Sequence, residues 1–158
     1  MIYISTGGIN NKTATETALE FYKNGIDKIE LSGGLYSKKY EFDIKNLPKN
    51  IDIQIHNYYP PPKKPFVFNL ASKDEEISSL SLNHVKNSID LCSKIGSKIF
   101  AFHAGFRVDP KVTELGKKIM KISLTSRDEA INLFLKRVKI LLEEAKKKNV
   151  QLMIENNV

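Results

Sequence analysis

Short apolar runs alternate along this chain with longer amphipathic stretches, the pattern of repeated strand–helix units that build a parallel sheet. Five strands are predicted, over Ile2–Ser5, Lys28–Ser32, Ile51–His56, Ile99–His103 and Val150–Glu155. Between them, helical periodicity predicts a first helix from Thr13 to Asn24, stopped by Gly25. A long one runs from Asp74 to Ile95, stopped by Gly96. Ser72 with Glu75, and Ser126 with Glu129, have capping-box spacing at the starts of the third and fourth helices. In the fourth helix Ile131, Phe134, Leu135, Val138, Leu141, Leu142 and Ala145 form a stripe at helical spacing, which reads as core. The segment Leu35–Asn50 holds at most one short helix. Pro60, Pro61, Pro62 and Pro65 make a stiff loop directly after the third strand.

Sorting each strand by its alternation separates two sheet faces, because successive side chains point to opposite sides. One face collects Ile2, Ile4, Ile29, Leu31, Ile51, Ile53, Ile55, Phe100, Phe102, Val150, Leu152 and Ile154. The other collects Tyr3, Ser5, Lys28, Glu30, Ser32, Asp52, Gln54, His56, Ile99, Ala101, His103, Gln151, Met153 and Glu155. A doubly wound sheet carries helices on both faces and needs both to be apolar. Only one is. A barrel with helices on its outer face alone tolerates polar residues inside, above all toward the C-terminal mouth where active sites lie. The expected fold is therefore an α/β, partial TIM barrel, with about five parallel strands of the usual eight.

Each apolar run ends in polar or small residues: Ser5 and Thr6, Ser32 and Gly33, His56 and Asn57, His103 and Ala104, Glu155 and Asn156. They converge on one rim. His56, His103 and Glu155 share the polar face and the same end of their strands, and imidazole nitrogen with carboxylate oxygen suits a divalent cation. His84 stands among polar neighbours in the third helix and reads as a surface residue. Tyr58, Tyr59 and Phe106 offer flat walls, and Arg107 a bidentate phosphate donor.

These residues resemble the sugar phosphate isomerase/epimerase group of xylose-isomerase-like TIM barrels, which also includes the endonuclease IV family of abasic-site endonucleases. The resemblance runs through IELSGG at 29–34, IQIHNYYPPPKKPFVFNLAS at 53–72, FHAGF at 102–106 and IENN at 154–157. It implies a metal site at His56, His103 and Glu155, with manganese, magnesium, cobalt or zinc as the cation. It also implies a catalytic role for Glu155 as one of two carboxylates that move carbon-bound protons. Glu30, Asn57, Tyr58, Arg107 and Asn156 are expected to contact a small sugar or sugar-phosphate substrate. Residues 1–158 then form the N-terminal portion of a single barrel, which is expected to stop before closure and to lack ligands from later strands. Such a piece would need self-association or a complementary chain to cover its open sheet edges.

Composition modifies this picture little. The net charge of +7 raises nucleic acid as a partner. All but Arg107, Arg127 and Arg137 of the 25 basic residues are lysines, many on helix faces that meet water, so a solvated surface is favoured over a DNA groove. A single cysteine, Cys92, forms no internal disulfide and reads as a small buried hydrophobe. No apolar run reaches the roughly 18 residues of a membrane span and no signal segment opens the chain, so a cytoplasmic location is expected. Three readings follow: a metal-dependent isomerase or epimerase, an abasic-site endonuclease, and a half-barrel that acts through assembly.

Overall fold

The computed structural model describes residues 2–9, 11–117 and 123–155. Strand and helix alternate: β1 Ile4–Ser5, α1 Ala14–Lys23, β2 Lys28–Leu31, α2 Tyr40–Lys45, β3 Asp52–His56, α3 Glu75–Ile95, β4 Ile99–His103, a 3-10 turn at Val112–Glu114, α4 Arg127–Lys147 and β5 Gln151–Glu155. The five strands pair in chain order and all in parallel, as an open sheet expected of a partial barrel. No helix among the described residues is long and apolar enough to cross a membrane.

Local chemistry sets the helix boundaries. Thr13 closes a full capping box at α1: its hydroxyl accepts from the Glu16 amide at 3.2 Å, and Glu16 accepts from the Thr13 amide at 2.8 Å. At α3 the cap is Asp74, whose carboxylate accepts from Ile77 at 2.9 Å, rather than the expected Ser72. The reason is register. Helical geometry starts at Glu75, leaving Ser72 two residues too early, where it accepts from the Asp74 amide at 2.9 Å and reaches Asp109. Ser126 caps α4 as its spacing suggests. Gly96 ends α3 in the left-handed region, φ 77°, which only glycine enters without strain.

The helices cover one sheet face. Ile29, Leu31, Ile55, Phe100 and Phe102 have no exposed surface and pack with Val85, Ile89 and Cys92 of α3 and with Leu141 of α4. Burying each of the two phenylalanines contributes on the order of 2–3 kcal/mol. At the margins the apolar pattern continues without cover: Ile4 and Ile154, on strands that among the described residues pair on one side only, remain about half exposed. Burial pushes the Cys92 thiol up to about 12, as befits a buried hydrophobe.

His84 departs from the sequence reading. It is buried, 8% exposed, beneath the loop that follows β3, with the rings of Tyr58, Phe66 and Phe68 centred 5.9, 6.3 and 6.3 Å away. The exposed Asn83 and Asn87 beside it in sequence misled, because the helix face that His84 shares is buried although two of its residues are serines. Ser81 and Ser88 lie on the same helix face and bond the loop backbone at Asn69 and Tyr59.

Candidate metal centre

The C-terminal ends of β3, β4 and β5 bring His56, His103 and Glu155 together. One ligand atom from each lies within 4.8 Å of the other two. Strand register explains the approach. His103 and Glu155 are directly paired, and His56 pairs with Ala101, whose methyl group leaves the inner face open between them. The two imidazoles meet edge to face with centroids 5.2 Å apart.

Hydrogen bonding orients His56. Its Nδ1 lies 3.2 Å from the Asn57 carbonyl oxygen and 3.3 Å from Ser32 Oγ, while Ser32 Oγ itself donates to that carbonyl at 3.2 Å. A carbonyl only accepts, so a proton on Nδ1 would point there and leave the Nε2 lone pair facing the site, whereas donation from Ser32 Oγ to Nδ1 would put the proton on Nε2. That Nε2 faces Glu155 Oε2 at 3.2 Å. At this distance the two atoms share either a proton, as a hydrogen bond, or a cation. The donor set thus fits a divalent metal, with the carbonyl-anchored imidazole in the orientation that metal-ligating histidines adopt.

His103 supplies an atom without a partner: its Nδ1 is buried without a hydrogen-bond partner among the described residues, and Glu155 Oε2, at 3.9 Å, is too far to serve as one. Burial, followed by the charge of His56, holds the imidazole below the usual histidine range, while Glu155 and Glu30 pull the other way. A neutral ring is the form that binds a metal.

The other expected site residues are placed differently. Glu30 lies on the inner face, paired with Ser5 and Gln54, and the neighbouring Lys28 lies 3.9 Å from Asp52. Asn57 is buried, and its Oδ1 has no partner among the described residues. Tyr58 turns inward on the loop, at φ 70°, and its hydroxyl accepts from the Phe68 amide at 3.0 Å. Tyr59 belongs to the hydrophobic core, where burial drives its hydroxyl upward, so it offers no wall to the rim. Arg107 is exposed and donates through Nε to the Thr125 carbonyl at 2.8 Å. Asn156 lies outside the described residues. Sequence reasoning placed Ser32 on the rim without seeing that it braces His56, and it passed over Asn69.

The family model of the xylose isomerase-like TIM barrel matches residues 21–157. The chain belongs to this family. Solved structures similar to this xylose isomerase-like barrel include the 3-keto-D-glucoside 4-epimerase YcjR from E. coli, at 12% identity and a TM-score of 0.66, covering 96% of this chain and 54% of that one. A xylose isomerase-like barrel from Mycobacterium smegmatis in complex with magnesium is 15% identical with a TM-score of 0.62, covering 97% and 54%. Endonuclease IV from Thermus thermophilus is 13% identical with a TM-score of 0.51, covering 99% and 51%. At these identities the likeness is one of fold, and the chain spans about half the length of each. No curated protein matches it.

Proposed function

We propose that residues 1–158 are the N-terminal portion of a single barrel and contribute the metal-binding part of a sugar or sugar-phosphate isomerase or epimerase centre. The observation that carries the reading is the convergence of His56, His103 and Glu155, one ligand atom of each within 4.8 Å of the others, with His103 Nδ1 lacking a hydrogen-bond partner among the described residues. In this reading His56, His103 and Glu155 hold the cation, whether manganese, magnesium, cobalt or zinc. The metal, when bound, would polarise a substrate carbonyl and the neighbouring hydroxyl. Glu155 Oε2 serves the imidazoles, and the other carboxylate oxygen takes a proton from the carbon beside that carbonyl and returns it. Glu30, Asn57, Tyr58, Arg107 and Asn156 contact the substrate in this reading.

An epimerase of this kind needs a second carboxylate for the opposite face of the sugar, but exchange of one carbon-bound proton needs only one base. The test is therefore solvent exchange: ketoses and ketose phosphates in D2O with each of the four metals, followed by proton NMR. Metal-dependent deuterium uptake, abolished by Glu155→Gln and by chelation, is expected. No uptake from any ketose, or uptake that survives Glu155→Gln, overturns the reading. The endonuclease alternative needs positive charge around the centre, whereas the flanking Ser32, Glu30 and Asn57 supply none. Salt-dependent affinity for duplex DNA with an abasic site would reverse that preference.

A further inference from the structure

Main-chain pairing between β3 and β4 ends with the Asn57 amide, which donates to the Ala101 carbonyl at 2.8 Å. His103 lies two residues further on and, among the described residues, is paired only with Glu155 on the other side. The sheet therefore ties His103 to Glu155, while something else must set that pair against His56. The loop after β3 and the turn after β4 are joined chiefly by the buried side chain of Asn69, which is 1% exposed, with Ser72 as a second tie.

The Asn69 carboxamide is saturated. Its Oδ1 accepts from the amides of Ala71 at 2.9 Å and Phe106 at 3.0 Å. Its Nδ2 donates to Asp109 Oδ1 at 2.7 Å, to the Phe106 carbonyl at 3.0 Å and, more weakly, to the Val108 carbonyl at 3.3 Å. Two N–H groups and two lone pairs are all that a carboxamide offers, so only glutamine carries the same set, and its extra methylene would move it out of place. Gly105 passes so close that a Cβ there would lie 2.7 Å from Asn69 Oδ1. Around it, Ser72 Oγ donates to Asp109 Oδ2 at 2.8 Å, and Arg137 Nη1 of α4 donates to the carbonyls of Leu70 at 2.6 Å and Ser72 at 2.8 Å.

We propose that Asn69 is a positioning residue of the candidate metal centre: by clamping the turn at 105–109 it holds the His103 ring at ligand distance from His56. It touches neither metal nor substrate. Its effect is transmitted through the turn that begins two residues after His103. The proposal rests on the metal reading only where metal affinity is the readout, so the test pairs that readout with one that needs no metal.

In the isotopically labelled, metal-free chain the two imidazoles should give a nuclear Overhauser cross-peak, since their centroids are 5.2 Å apart. Asn69→Ala should lose this cross-peak while the Ala104 amide, which donates to the Glu155 carbonyl, keeps its exchange protection. Zn2+ affinity by calorimetry should fall at least tenfold. Asp109→Ala removes one of the five Asn69 contacts and the Ser72 contact; it should give an intermediate loss, and it decides the matter if Asn69→Ala does not fold. Variants that melt at lower temperature yet keep both the cross-peak and the affinity while folded would show a merely structural staple and overturn the proposal. If the unaltered chain takes up no Zn2+, the metal reading falls, and the cross-peak alone decides the positioning role.

Discussion

His84 gives the fold a dependence on acidity that can be sized in advance. Burial among Tyr58, Phe66 and Phe68 lowers its pKa from 6.5 to about 4, and its Nε2 has no partner among the described residues to stabilise a charge. The folded chain therefore binds the proton more weakly than the unfolded chain does. Stability from this group is complete above the unfolded value of 6.5 and is lost progressively as pH falls toward 4. Between neutrality and pH 5 the loss is about 2 kcal/mol, approaching roughly 3 kcal/mol at lower pH. Other carboxylates and histidines titrate over the same range, so the comparison is with His84→Phe, which keeps an aromatic ring in the aromatic setting and cannot charge. Urea unfolding at pH 7 and pH 5 should show the difference in stability between variant and parent moving by about 2 kcal/mol in favour of phenylalanine, roughly 1 M in midpoint. Equal pH sensitivity in both proteins would refute the reasoning. It would mean that the loop opens to solvate His84 at little cost.

Leu141→Ala, at a position with no exposed surface, should cost about 2–5 kcal/mol in denaturant unfolding. Gly34→Ala would place a Cβ 2.7 Å from the Ala14 amide at φ +85°, so a loss of about 1–3 kcal/mol and a lower thermal midpoint are expected. The Cys92 thiol, pushed up to about 12 by burial, should resist a disulfide reagent in the native state and react on unfolding. Fast native labelling would contradict its placement under β4.

The barrel architecture was legible because alternation is a local signal. Ile29, Leu31, Ile55, Phe100 and Phe102 read as one face and are buried together, and the same parity put His56, His103 and Glu155 on the other. Parity cannot say what covers a face. Ile4 and Ile154 carry the apolar pattern yet remain exposed, since that depends on neighbours beyond the strand. Loops were hidden for a related reason. The burial of His84, the capture of the Tyr58 hydroxyl by Phe68, and the five bonds of Asn69 arise from residues 57–74 folding back on α3 and meeting the turn after β4. None of these contacts has a periodic signature. The one available signal was Asn69 itself, a polar residue inside the apolar run Phe66–Leu70.

Nitrogen NMR of the histidine side chains during a Zn2+ titration tests the metal centre most directly. His56 Nε2 and His103 Nδ1 should shift together and saturate at one equivalent, the shifts should weaken sharply in Glu155→Gln, and the buried His84 should stay unmoved. Unshifted resonances for His56 and His103, or saturation that ignores the loss of the Glu155 carboxylate, would contradict the claim that these three side chains form one cation site.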